Sequence, residues 1–155
     1  MNMKINNKKT IVFLVIVLFL GVLVVRDVMF KKTAEAPTTK TYEVLGNKND
    51  LVSFSVAPGE EVSGIVQFSG ALQGGYFFEN NLIVNVLDSA MQKTTYGPGF
   101  TSGTSEWMTS GPVSFSFAVD FTGAPQGLYY IELHNDNASG LPEHDKSILI
   151  PVIVK

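Results

Sequence analysis

Val113, Phe115, Phe117, Val119 and Phe121 are apolar, and the residues set between them, Ser114, Ser116, Ala118 and Asp120, are small or polar. A period of two kept over nine residues gives an extended strand one buried and one wet face, and no helix reconciles it. Such a strand needs a second layer to bury its apolar side. Shorter runs of the same texture lie at 51–56, 62–68, 82–87, 127–133 and 147–154. Turn signals separate them: Ala57-Pro58-Gly59, Gly74-Gly75, Gly97-Pro98-Gly99, Gly111-Pro112, Gly123-Ala124-Pro125 and Ser139-Gly140-Leu141-Pro142. About seven strands in 106 residues, with no helical period and no crossover helix, predict an all-β, immunoglobulin-like β-sandwich over 50–155.

The start of the chain is of another kind. Residues 10–25, TIVFLVIVLFLGVLVV, carry no charge, and only Thr10 and Gly21 stand outside the strongly apolar set. A helix apolar on every face belongs in a bilayer rather than on a soluble core. Sixteen residues reach about 24 Å, and Lys8, Lys9 and Arg26 can snorkel while Val28, Met29 and Phe30 lengthen the contact. The rival reading is a cleaved signal peptide, for which Ala34-Glu35-Ala36 supplies a small-x-small site. Charged Arg26, Asp27, Lys31 and Lys32 separate that site from the apolar run, and Pro37 follows it, so an uncleaved signal anchor is the expectation. The organisation predicted is a cytoplasmic N-terminus over 1–9, a transmembrane helix over 10–30, an extracytoplasmic linker over 31–49 with room for a short extended piece at Tyr42 to Leu45, and the domain over 50–155. The long C-terminal part is placed outside the cytoplasmic membrane.

Charge follows the same division. Residues 1–40 hold 7 Lys or Arg and 2 acids, whereas 41–155 hold 4 and 12. The net charge of -3 and the acidic body argue against nucleic-acid binding. The chain has no Cys, which excludes disulfides, thiolate metal sites and a Cys nucleophile. There is no G-x-S-x-G, no S-x-x-K and no G-x-x-x-x-G-K-[ST], so no catalytic residue and no cofactor is assigned.

Four residues stand out as candidate ligand contacts: Tyr76, Phe77, Glu79 and Trp107. In the run Tyr76, Phe77, Phe78 and Glu79, adjacent aromatics alternate faces, so at least one points away from a two-layer core. An exposed ring beside a carboxylate can stack on a sugar or clamp a peptide. The competing account has the cluster sealing the end of the sandwich, with Glu79 bonded to loop amides and Trp107 plugging the core from a loop. The polar stretch from His134 to Asp145 invites a calcium reading, but an EF-hand register starting at Asn135 puts Lys146 at the twelfth position. A hydrogen-bonded loop is the better account. Zinc lacks a ligand set beyond His134 and His144 with Asp136 or Glu143, and no metal site is assigned.

The segments GYFFENNLIVNVLD (75–88), EWMTSGPVSFSFAVDF (106–121) and NDNASGLPEHDKSILIPV (135–152), with VSFSVAPGEEVSGIVQFSGAL (52–72) before them, resemble the Gmad2 family. This is the immunoglobulin-like domain associated with bacterial spore germination proteins. Tyr76 stands where the family often has Trp. The resemblance implies a non-catalytic β-sandwich carried on a membrane-anchored envelope protein, in a germination-related setting. The expected partners are the membrane, through the N-terminal helix, and either an envelope protein or cell-wall glycan.

Overall fold

The computed structural model describes residues 40–155; the N-terminus expected over 1–9, the transmembrane helix expected over 10–30 and linker residues 31–39 lie outside the described residues. Nine strands follow one another: β1 (Leu45–Gly46), β2 (Leu51–Phe54), β3 (Glu60–Val62), β4 (Ile65–Leu72), β5 (Asn81–Leu87), β6 (Gly99–Ser102), β7 (Val113–Asp120), β8 (Gly127–Asn135) and β9 (Ser147–Val154). In β7 the alternation is kept residue for residue, Val113, Phe115, Phe117 and Val119 buried and the residues between them exposed. The larger sheet has the order β1-β9-β8-β5-β6, with β3 also on β9, and the smaller has the order β2-β4-β7. All pairs are antiparallel except β3 with β9.

The two sheets meet through Phe68, Leu72, Phe115 and Phe117 from one side and Val84, Ile131, Leu133 and Ile150 from the other. Phe54, Phe68 and Phe117 stack in series, with ring centroids 5.6 and 5.4 Å apart. Each fully buried side chain of this size contributes roughly 1.5–3 kcal/mol. At the start of β8, Tyr129 is buried and its hydroxyl donates to the carbonyl of Pro125 at 3.1 Å, tying the strand to the turn that leads into it.

Three expectations are corrected. The run 62–68 is not one strand: Val62 ends β3 on the larger sheet, Ile65 opens β4 on the smaller, and Gly64 turns between them at φ +63°. The stretch around Gly97-Pro98-Gly99, read only as a turn, leads into β6, and with that split the described residues hold nine strands, not about seven. Finally, the linker assigned to 31–49 is partly folded. The compact unit begins at Lys40, Leu45 and Gly46 pair with Leu149 and Ile148, and the Tyr42 ring lies over Gly59. Among the described residues no helix is long and apolar enough to cross a membrane.

Register sorts the loops into two ends. Pairs Leu72↔Val113, Leu82↔Asn135 and Gly46↔Ile148 gather 47–50, 73–80, 103–112 and 136–146 at one end. Pairs Ile65↔Asp120 and Gly127↔Val154 gather 63–64 and 121–126 at the other. After β6 the chain crosses to the smaller sheet, where Thr104 N–H donates to the Ser114 carbonyl at 2.7 Å and Gly103 bridges Phe115. That crossing ties the edge of β7 to the larger sheet at Ser114 and Phe115.

Candidate functional site

The four residues singled out in the sequence all fall at the end that gathers 73–80 and 103–112, but they do different jobs. Tyr76 is fully buried. Its hydroxyl donates to Asp50 Oδ2 at 3.1 Å, and Lys146 Nζ stands 5.7 Å from the ring centroid. Burial, and after it the charge of the Asp50 carboxylate, pushes the phenol well above its ordinary range. Phe77 is buried too, and Trp107 packs half-buried against the core. Tyr76 and Phe77 therefore present no ring to a ligand, because the loop that carries them folds back into the mouth of the sandwich. Their assignment as ligand contacts is corrected to that of core residues.

Phe78 is the aromatic that faces out, 43% exposed. It opens a two-residue turn in which Phe78 N–H donates to the Asn81 carbonyl and Asn81 N–H to the Phe78 carbonyl, at 3.1 and 2.8 Å. Glu79 and Asn80 both take left-handed backbone, with φ 50° and 64°. This is the pair of positive angles that a tight hairpin turn demands. Asn tolerates that conformation, while for Glu it costs about 1–2 kcal/mol. Asn80 also earns its position through its side chain, whose Oδ1 accepts from Gly103 N–H at 3.1 Å, joining 73–80 to 103–112. Glu79 sits exposed at the tip, and its carboxylate has no hydrogen-bond partner among the described residues.

Met108, 73% exposed, adds an apolar side chain at the same end. Sequence reasoning passed over it and Phe78 as individual contacts. The signal for Phe78 was Asn80, a left-handed turn former two residues after it. Acidic groups also collect here: Asp50, Glu79, Glu106, Asp136, Glu143 and Asp145 lie in these loops, against Lys48 and Lys146.

The loop 136–146 spends its polar atoms on itself. Asn135 Oδ1 accepts from Lys146 N–H at 2.8 Å and its Nδ2 donates to the His144 carbonyl at 2.9 Å. Asn137 Nδ2 donates to the Leu141 carbonyl and Asp145 Oδ1, and Ser139 Oγ donates to Asn137 Oδ1 while lying 2.9 Å from His144 Nδ1. Among the described residues no three His, Asp or Glu side chains are grouped as a metal site would require.

A second surface lies on the outside of the smaller sheet, an open groove of about 490 Å³ lined by Ser53, Ser55, Ser69, Ser114, Ser116 and Thr104 together with Phe54, Gly70, Ala71 and Phe115. It carries hydroxyls and no charge. No protein-family model matches the chain, and neither a curated protein nor a solved structure matches it at a significant level.

Proposed function

We propose that this chain is a non-catalytic, membrane-anchored extracytoplasmic module that binds a protein partner in the bacterial cell envelope, as the Gmad2 resemblance implies. The leader at 10–30 serves as the anchor and the short stretch after it as the tether. The observation that carries the binding role is the loop end, where Phe78 stands exposed on a tight turn beside Glu79 and Met108 is exposed in the loop 103–112 of the same end. Exposed apolar side chains fixed by a folded scaffold are what a protein contact uses.

The immunoglobulin-like reading is supported by topology. The order β2-β4-β7 corresponds to three strands of the first sheet of that fold, and β9-β8-β5 to the second. Further support comes from Tyr129, whose hydroxyl bonds to Pro125 upstream at the entrance to β8, as in the tyrosine corner of such domains.

The test is photocrosslinking in intact cells from a benzophenone residue at Phe78 or Met108, with Thr122 at the opposite end as control. One discrete envelope protein captured from 78 or 108 and not from 122 is the expected result. Capture of nothing from either position removes the proposal.

Cell-wall glycan is the second reading, and its support has moved. Tyr76 and Phe77 lie in the core and Trp107 packs half-buried against it, whereas the serine groove offers uncharged hydroxyls to a neutral sugar. Saturable pelleting of the protein with protein-free sacculi, weakened by Ser116→Lys, is its expected signature.

A further inference from the structure

The outside of the larger sheet is apolar at positions where a solvent-facing strand ordinarily alternates to polar side chains. On β5, Leu82, Val84 and Val86 point into the core, so Ile83 and Asn85 point out. Register sets two rows across this face. Phe100 lies opposite Ile83 and Ile83 opposite His134, while Asn85 lies opposite Glu132, Glu132 opposite Leu149 and Leu149 opposite Leu45. Phe100 is 67% exposed and Leu45 41%. Apolar side chains therefore frame this face on two sides, Phe100 and Ile83 toward β6 and Leu149 and Leu45 toward β1, with His134, Asn85 and Glu132 between them, an arrangement that suits an interaction surface.

At the middle of the frame the polar groups are incompletely matched. Asn85 is only 8% exposed although it faces outward, and its Nδ2 donates to Glu132 Oε2 at 2.7 Å. Its Oδ1 is buried and has no hydrogen-bond partner. Among the described residues Glu132 has no ion pair, the one found being Lys155 with Glu61. The chain itself covers Asn85 Oδ1, so what this face offers a partner is the Glu132 carboxylate, acidic and without a basic partner among the described residues.

That imbalance selects the occupant. A second copy is disfavoured by charge, since each described unit carries 5 Lys against 12 Asp and Glu, a net charge of -7. A segment with Lys or Arg between apolar side chains supplies what is missing. We propose that the outer face of the larger sheet docks a cationic amphipathic segment of a partner protein, its Lys or Arg meeting Glu132 and its apolar side chains covering Phe100, Ile83, Leu149 and Leu45. The inference rests on the protein-binding reading above and names the partner's chemistry.

The test uses the full chain in uncharged detergent with a benzophenone residue at Phe100 or, on the opposite face, at Ser116. The probes are a short synthetic peptide of alternating Leu and Lys and its Leu and Glu counterpart. The Leu/Lys probe is captured from 100 and not from 116, the Leu/Glu probe from neither, and Glu132→Gln weakens capture by at least about tenfold. Gln keeps an acceptor for Asn85 Nδ2, so the variant stays folded. Equal capture from both faces, capture indifferent to Glu132→Gln, capture of the Leu/Glu probe, or crosslinking of 100 to a second copy each overturns the inference. A partner captured in cells from position 78 while the Leu/Lys probe fails at 100 ends this inference alone; failure at both ends the protein-binding reading as well.

Discussion

Tyr76 ties the candidate site to the core through one hydroxyl. Its bond to Asp50 at 3.1 Å links the loop 73–80 to the turn before β2, and its proton is held by burial first and by the Asp50 carboxylate second. In the unfolded chain a tyrosine ionises near pH 10, so above that pH the unfolded state gives up a proton that the native state keeps. Stability from this group is fully present below about pH 10 and falls as the pH rises toward the raised native value. Tyr76→Phe lowers stability by about 1–2 kcal/mol at neutral pH and reduces the alkaline loss, measured as urea midpoints between neutral pH and about pH 10.5. The reduction is partial, because burial, with Tyr96 and Asp88, raises Tyr129 in the same direction. An alkaline slope identical in the variant would refute the role given to Tyr76. The sequence located this cluster and left two accounts of it, ligand contact or seal of the sandwich end; the burial of Tyr76 and Phe77 agrees with the seal, and the reason the sequence could not choose is physical. Alternation decides which side chain points inward only inside a strand, and Tyr76 and Phe77 precede β5 in a loop where the backbone is free to turn both rings into the sandwich. For Glu79 the alternatives are a ligand contact or a bond to loop amides; the left-handed turn at Glu79 and Asn80 holds it at the tip, with no such bond among the described residues.

At the scale of elements, the short path from β3 to β4 decides the topology, since it moves the chain from one sheet to the other within residues 63–64. Gly64 takes φ +63° there, and a methyl group added to it would meet nothing within 4 Å. Gly70 is the reverse case: an added methyl would lie 2.5 Å from the Ser53 carbonyl oxygen and 2.9 Å from Phe115 Cζ. Gly64→Ala therefore costs about 1 kcal/mol through backbone conformation. Gly70→Ala costs on the order of 3 kcal/mol, by prying β2 from β4 and pushing on the Phe115 ring. Thermal denaturation of the two variants separates the effects, and a Gly64→Ala loss equal to that of Gly70→Ala would contradict them. The same two elements explain what was legible. β7 could be read from sequence because its two faces differ at every step, whereas 62–68 stays apolar through Val62, Val66 and Phe68 while changing partners, and alternation carries no information about which sheet a residue joins. β6 was hidden by Gly97, whose lack of a side chain lets it run close against Asn85 and Val86 of β5.

At the scale of the whole molecule, the question is where the domain begins. A boundary at Asp50 treats the residues before it as tether, but they complete the edge of the larger sheet. Val44 packs against the core, Leu45 and Gly46 pair with β9, Asn47 N–H donates to the Ser147 carbonyl at 2.8 Å, and the Tyr42 ring covers Gly59. β9 has β8 on one side, and on the other it depends on β1 for its first half and β3 for its second. Removing 40–49 strips the first half and leaves an unpaired apolar edge at Ile148 and Leu149, a template for pairing with another chain. A fragment starting at Asp50 is accordingly less stable than one starting at Lys40 by roughly 2–4 kcal/mol, from the apolar area of Tyr42, Val44 and Leu45 returned to water. It also self-associates as its concentration rises, which the longer fragment resists. Chemical denaturation and sedimentation velocity on the two fragments decide the matter. Equal stability with no association would mean that 40–49 only rests on the sandwich, whereas the expected difference makes the first strand part of what keeps the outer face of the larger sheet, with Leu45 at its border, in one register.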